Sequence, residues 1–400
     1  MAGKKLGRVA SPGAKDASEQ LEKHLACPRQ AWLFGAGISK NGGVPLISVL
    51  TTVVIARMQK SKSRQLLEDL RSELPDTAHV EQLLTRISDH IALAEGARSQ
   101  KTTLQKREFD AAALRALHVE VVTQIAEVVR WGHFPTDGST PERNGSIGNS
   151  IVDLSEHSAF VRAVFDSNQA GLQDRRGPVW FFTLNYDTLL EDALALHRVA
   201  FWDGFVGGAV AFRSHRFGER EPSTGFRAHV VKLHGSIDWY ATDDGKVWRV
   251  RDGDRYPERK GRVLIYPQAT KYVATQLDPF AAQFELLRRT LSTTDDNVLA
   301  VCGYSFGDEH VNQEIELALS RPESKTTLLV FCREGGGLPN ALQEWRKSTW
   351  GRRLYIATER ALYAGPGKPV VEAPGKTPLS WWTFSGMTEL LMNGCQEDRS

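Results

Sequence analysis

Short, almost wholly apolar runs punctuate this chain, and most of them close on glycine or a small polar residue. Trp32-Leu33-Phe34 runs straight into Gly35-Ala36-Gly37, and Pro178–Thr183 into Asn185-Tyr186-Asp187. His229–Leu233 ends at His234-Gly235, Arg262–Tyr266 at Pro267, and Asn297–Cys302 at Gly303-Tyr304-Ser305, with Thr327–Phe331 the next in line. Runs of this length bounded by turn residues predict buried strands. Between them the apolar positions shift to helical spacing, over Thr188–His197, Phe280–Leu291, Glu309–Leu319 and Ala341–Lys347. Arg353–Ile356 then reads as a strand and Gly386–Met392 as a last helix. Strands alternating with helices predict an α/β fold, with a Rossmann-like parallel sheet built through right-handed crossovers.

One long stretch breaks the alternation. From Pro45 to about Val129 the periodicity is helical throughout, and a third segment there, Thr103–Val129, reads as one helix. We therefore expect a large, mostly helical insertion after the first strand, spanning about 45–175. It includes a Gly/Pro/Ser/Asn-rich loop at Trp131–Ser150, where His133 is incidental, and a further helix over Leu154–Asn168. The expected organisation is a tail and short helix over 1–28 (helical from Ala17 to Leu25), a nucleotide-binding domain over 29–335, and a C-terminal extension over 336–400 suited to oligomer or partner contact.

Bulk composition narrows the picture only at its edges. Charged residues make up 24% of 400, and Lys+Arg 50 against Asp+Glu 48 leaves +2, so net charge points to no polyanionic partner. The basic, aromatic stretch Arg213–Arg262 could meet a phosphate backbone, but its interleaved acids fit a solvated loop. Cys27, Cys302, Cys332 and Cys395 include no Cys-x-x-Cys pair, so no metal site is expected, and Cys302 and Cys332 sit inside apolar runs. Neither a leader nor a membrane-length apolar window is found, and a cytoplasmic location is expected.

The chemistry concentrates at strand ends. In parallel sheets ligands bind outside the carboxyl ends of the strands. The turn at Gly35, Asn185 and Asp187, His234, and Gly303 with Ser305 can therefore converge on one crevice. Gly35-Ala36-Gly37 permits close backbone approach to a pyrophosphate, and a helix beginning there would add its amides. Taken singly, Asn185 could be a turn residue, Asp187 an N-cap of the following helix and His234 a core histidine.

In order, GAGIS (35–39), TLNYD (183–187), KLHGSIDW (232–239) and CGYSFGDEHVN (302–312) resemble the sirtuin-like NAD-consuming superfamily. The likeness is greatest to bacterial sirtuin-like proteins of anti-phage defence, in particular the subunit paired with a HerA-type ATPase. The resemblance implies NAD+ as substrate, cleaved at the nicotinamide–ribose bond through an oxocarbenium-like transition state. It implies Asn185 as the group that positions water or ribose, Asp187 as its support, and His234 as general base. Gly35, Ala36, Gly37, Ser39, Thr183, Gly235, Gly303, Tyr304, Ser305 and Asp308 would contact the dinucleotide, Asp308 doubling as a helix cap.

Protein deacylases of this superfamily carry a zinc module held by two Cys-x-x-Cys pairs, which this sequence cannot supply. The implied acceptor is therefore water, and the implied activity is that of an NAD+ glycohydrolase that depletes the cell's NAD+ during infection. The same resemblance implies a homo-oligomer, a HerA-type ATPase partner, and nucleic acid only through that partner. Two alternatives stay open, a module that senses NAD+ or ADP-ribose without turnover and a nucleic-acid-acting effector.

Overall fold

The computed structural model describes residues 12–394, apart from 106, 137–139, 168–176, 242–245, 252–261, 265–277 and 376. The expected N-terminal tail up to residue 11, Tyr266, the basic stretch 252–261 and Cys395 lie outside the described residues.

In chain order the first elements are α1 (Pro12–Leu25), β1 (Gln30–Phe34), α2 (Ile47–Met58), α3 (Arg64–Arg71) and α4 (Val80–Gly96). A hairpin of β2 (Lys101–Leu104) and β3 (Arg107–Asp110) follows, then α5 (Ala111–Trp131), β4 (His133–Phe134), β5 (Arg143–Asn144) and α6 (Ser155–Arg162). The middle of the chain holds β6 (Val179–Thr183), α7 (Leu189–Leu196), β7 (Phe201–Trp202), β8 (Phe205–Gly207), β9 (Val210–Arg213) and β10 (Ala228–Lys232). Next come β11 (Gly235–Ala241), β12 (Val247–Val250), β13 (Arg262–Leu264), α8 (Phe280–Leu291), β14 (Asn297–Cys302) and α9 (Glu309–Leu319). The last are β15 (Thr326–Phe331), α10 (Asn340–Lys347), β16 (Leu354–Ala357), β17 (Ala361–Ala364), β18 (Val371–Glu372) and α11 (Phe384–Asn393).

Nine of these strands form one sheet in the order β18-β17-β16-β15-β14-β1-β6-β10-β7. It is parallel from β7 through β16, and β17 and β18 add antiparallel. The fold is thus α/β with a Rossmann-like parallel sheet, as the alternation predicted. Both faces are buried, as a parallel sheet requires. Trp32 and Phe34 of β1 join Phe160, Phe181 and Phe384 on the side covered by α1, α6 and α11. Ala31 and Leu33 turn to the other side, against Phe284 and Leu287 of α8, Ile315 of α9 and Leu342 of α10. The period of two along β1 thereby feeds two separate cores. Residues 354–393, expected as an extension, carry three strands of this sheet and supply Trp381, Phe384 and Met387 to one core.

Several local expectations are corrected. Helix α1 begins at Pro12 rather than Ala17, because proline is well suited to the first helical position, where its missing N–H costs nothing. Thr103–Leu104 and Arg107–Asp110 are strands, not helix. Thr103 pairs with Glu108 in the β2–β3 hairpin, and Asp110 starts α5 by accepting a hydrogen bond from the Ala113 N–H at 2.6 Å. Within the stretch read as a solvated basic loop, Val247–Val250 is instead β12 of a second sheet of five strands, β13-β11-β12-β9-β8, in which β13 is the strand expected to begin at Arg262. The arginines of that stretch hid the alternation, because Arg249 and Arg251 turn inward to ion pairs with Asp203 and Asp192. Strands β17 and β18 were also missed.

Candidate active site

Register sets the site. Phe34 at the end of β1 pairs with Thr183 of β6 on one side and Cys302 of β14 on the other, and Thr183 pairs with Lys232 of β10. Four strands therefore end level, and the segments carrying Gly35, Asn185, His234 and Gly303 leave side by side. From β1 the sheet is built outward through β6 and β10, and later from β14 the other way. The β1–β14 boundary is thus a topological switch point, where open α/β sheets bind ligands.

At that boundary the two glycine turns fit into one another. The Gly35 N–H donates to the Cys302 carbonyl at 3.1 Å, and the Gly37 N–H to the Gly303 carbonyl at 2.9 Å. A Cβ on Gly35 would stand 2.5 Å from the Gly303 oxygen, and one on Gly303 would stand 2.6 Å from the Ile38 nitrogen. The glycines are needed first so that two backbones can touch. Directly after the turn comes one 3-10 turn, Ala36–Ile38, not an α-helix, and α2 starts at Ile47, where the helical spacing begins. A full helix macrodipole is therefore not aimed at the crevice. What the turn offers is exposed backbone at Ala36 and Gly37.

The second group is built around Asn185, which is buried. Its backbone N–H donates to Thr183 Oγ1 at 3.0 Å, and its Nδ2 donates to Ser39 Oγ at 3.1 Å, which ties the β6 loop to the β1 loop. Asn185 Oδ1 is buried with no hydrogen-bond partner among the described residues. A buried acceptor left open in this way is costly unless something outside the chain fills it. A water or a ribose hydroxyl would fit that acceptor, which is the observation in favour of a nucleotide here.

The N-cap of α7 is Thr188 rather than Asp187, which stands one residue before it and whose Oδ1 accepts from the Leu189 N–H at 3.1 Å. The Asp187 carbonyl oxygen accepts from the Lys232 ammonium, which also pairs with Glu191 Oε1 at 3.1 Å. Lys232 and Glu191 are both buried, and burial pushes the Glu191 carboxyl above the usual carboxylate range while Lys232 pulls it back. Sequence reasoning missed this clamp. The only hint was a lysine inside an otherwise apolar strand.

His234 follows β10 and is buried, with Gly235 behind it at φ +82°. Its Nε2 lies 3.0 Å from Asp308 Oδ2. Asp308 is also the N-cap of α9, its Oδ1 accepting from the His310 N–H at 3.2 Å. The cap expectation is met, and the carboxylate orients His234 besides. Tyr304, expected among the dinucleotide contacts, is buried. Its hydroxyl is held inside the 304–308 turn by the Asp308 carbonyl at 2.9 Å and Asn312 Oδ1 at 3.0 Å, and burial pushes its pKa up. Ser305 and Gly307 are exposed on the same turn. Cys302 ends β14 and Cys332 directly follows β15; both are buried, and burial pushes the Cys332 thiol up to about 12. Among the described residues no group of three or more His, Cys, Asp or Glu is placed to hold a metal ion, and no helix is long and apolar enough to cross a membrane.

No curated protein is matched by the sequence. A family model, the SIR2-like domain, matches residues 179–354. That span runs from β6 to the first residue of β16 and holds Asn185, Asp187, His234, Gly303 and Asp308, while β1 and its glycine turn precede it. The match is compatible with an NAD-related function, and the Rossmann-like sheet is consistent with a SIR2-like fold over those residues.

Proposed function

We propose that this protein is an NAD+ hydrolase that splits the nicotinamide–ribose bond to give nicotinamide and ADP-ribose. The observation that carries the reading is Asn185: a carboxamide fixed through Nδ2 by Ser39, with its Oδ1 buried and open. Such an acceptor suits the orientation of a water or a ribose hydroxyl.

Nicotinamide leaves from a cationic pyridinium as a neutral molecule, so no general acid is needed to expel it. What remains is to hold the dinucleotide, orient a water and take its proton. The water oxygen bonds to the anomeric carbon as the C–N bond breaks, its electron pair leaving with nicotinamide. The water's proton passes to His234, whose ring Asp308 orients from Nε2. Asp187 and Thr183 hold the Asn185 loop in place. Gly35, Ala36, Gly37, Gly303 and Ser305 offer backbone and a hydroxyl to the phosphates and adenosine, with Ser39 supporting through Asn185. Gly235 lets the chain turn behind His234. Water serves as the acceptor because the sequence has no Cys-x-x-Cys pair to build a deacylase zinc module. The motif set supports depletion of cellular NAD+ in anti-phage defence as the biological output, with a homo-oligomer and a HerA-type ATPase partner as its setting.

The test is NAD+ loss and nicotinamide release by the purified chain, alone and with a HerA-type ATPase, beside Asn185→Ala and His234→Ala. Both substitutions are expected to lower turnover at least ~100-fold. Equal loss in wild type and variants refutes the assignment, and NAD+ binding without nicotinamide release points to a sensing module instead.

A further inference from the structure

The helical insertion is not a passive appendage to the sheet. Its core, built from α2, α3, α4 and α5, is completed by Leu189 of α7 and Ile237 of β11, with Tyr186 packed at its margin. These three residues belong to the two segments that carry Asn185, Asp187 and His234. Apolar packing therefore runs without a break from the insertion to the back of the site.

Tyr186 is the junction. Its side chain reaches the insertion, the hydroxyl donating to Glu81 Oε1 in the first turn of α4 at 3.1 Å. Its backbone reaches the other site segment, the carbonyl accepting from the Ile237 N–H at 3.0 Å and from Ser236 Oγ at 3.3 Å. In sequence it sits between Asn185 and Asp187. One residue thus joins the insertion, the Asn185 loop and the strand that begins directly after His234. A second tie lies beside it, Arg130 Nη1 of α5 donating to Thr188 Oγ1 at 3.4 Å. From the opposite side the loop is held by Lys232 of the central sheet, through the Asp187 carbonyl.

We infer that Tyr186 and Glu81 are positioning residues through which the helical insertion sets the placement of Asn185 and His234, so that whatever moves the insertion gates the site. The inference rests on the hydrolase reading for its activity readout but not for its structural one. A side chain that acts through placement affects turnover more than ground-state binding, because small displacements of reacting groups carry large rate penalties.

Tyr186→Phe removes one oxygen and no packing. Its kcat for NAD+ hydrolysis should fall about tenfold with KM within about twofold. Glu81→Ala should match it, Glu81→Gln should retain most of the activity because its amide oxygen still accepts, and Tyr186→Phe with Glu81→Ala should be no worse than either alone. Hydrogen exchange on the full chain supplies the second arm: amides of 184–188 and 236–238 should exchange faster in Tyr186→Phe than in wild type. Unchanged kcat in an active enzyme, or additive losses in the double variant, would overturn the coupling. If wild type cleaves no NAD+, the hydrolase reading fails by itself, and the exchange arm decides the coupling, with unchanged exchange overturning it.

Discussion

Asp308 closes a hydrogen bond to His234 across 74 residues of sequence: the Oδ2 of a helix cap lies 3.0 Å from the Nε2 of a histidine that ends a different strand's turn. In neutral imidazole this partner keeps the proton on Nε2 and makes Nδ1 the basic nitrogen. The tautomer is thus set by a residue whose local duty is to start α9.

Two duties in one carboxylate can be separated. Asp308→Asn keeps one oxygen for the cap but sets an amide NH2, a donor, where Oδ2 accepts from Nε2, so it removes both that acceptor and the negative charge behind the ring. Its kcat/KM for NAD+ should fall about 10- to 100-fold, with the apparent basic pKa of the pH profile shifted down. Loss of the cap itself costs roughly 0.5–2 kcal/mol in Asp308→Ala. Denaturant unfolding beside the pH profile distinguishes the effects, and an unmoved profile with only a stability loss would leave Asp308 as a cap alone.

The interlocked glycine turns predict a stability effect that sequence position would not suggest. Gly303 has φ +69°, and its Cβ would stand 2.6 Å from the Ile38 nitrogen. Gly303→Ala should destabilise by about 2 kcal/mol or more, from backbone strain and from forcing two backbones apart. Gly336→Ala, where an added Cβ meets nothing within 4 Å, should change little. Urea midpoints at constant slope measure both, and equal midpoints would refute the interlock.

Acid should weaken the fold through its buried histidines. His229 sits edge-on to Trp180 and Trp202, at 4.4 Å and 5.2 Å between ring centroids, and burial lowers its pKa from 6.5 to about 4. Between those values the unfolded chain binds the proton and the folded one does not, so stability falls as pH drops from 6.5 and levels off below 4. For this group alone the loss is about 3 kcal/mol. Burial also lowers the pKa of His157 and His215, which adds in the same direction. Urea unfolding across pH 7 to 4.5 should show a shallower decline in His229→Phe than in wild type, and parallel declines would refute the assignment.

The parts of the molecule legible in sequence are those whose signal is local. Strands β1, β6, β10 and β14 were placed within about a residue, because each is an apolar run stopped by a turn. Asn185, His234 and Gly303 stood out for the same reason. Of the second sheet only the strand beginning at Arg262 was legible, since Val247–Val250 and Val210–Arg213 place arginines where alternation would be sought. The β2–β3 hairpin was not legible, because Lys101–Leu104 and Arg107–Asp110 bury little and offer no apolar face. The contacts that define the site are pairs of distant residues: Ser39 with Asn185, Lys232 with Asp187, His234 with Asp308. Each member has an ordinary local explanation, and only the register of four level strand ends brings them together.

The position of β1 in the sheet also carries a cost during synthesis. It is the first strand made, yet its neighbours are β6, beginning at Val179, and β14, beginning at Asn297. At ordinary translation rates Trp32, Leu33 and Phe34 wait on the order of half a minute for the second neighbour to leave the ribosome. Until β6 is made both edges of this apolar strand are open, and until β14 is made one is, so it must be shielded by the collapsing insertion or by a chaperone. Of the strands of this sheet β1 therefore waits longest for its second neighbour, and a chain truncated before residue 297 would leave one of its edges unpaired.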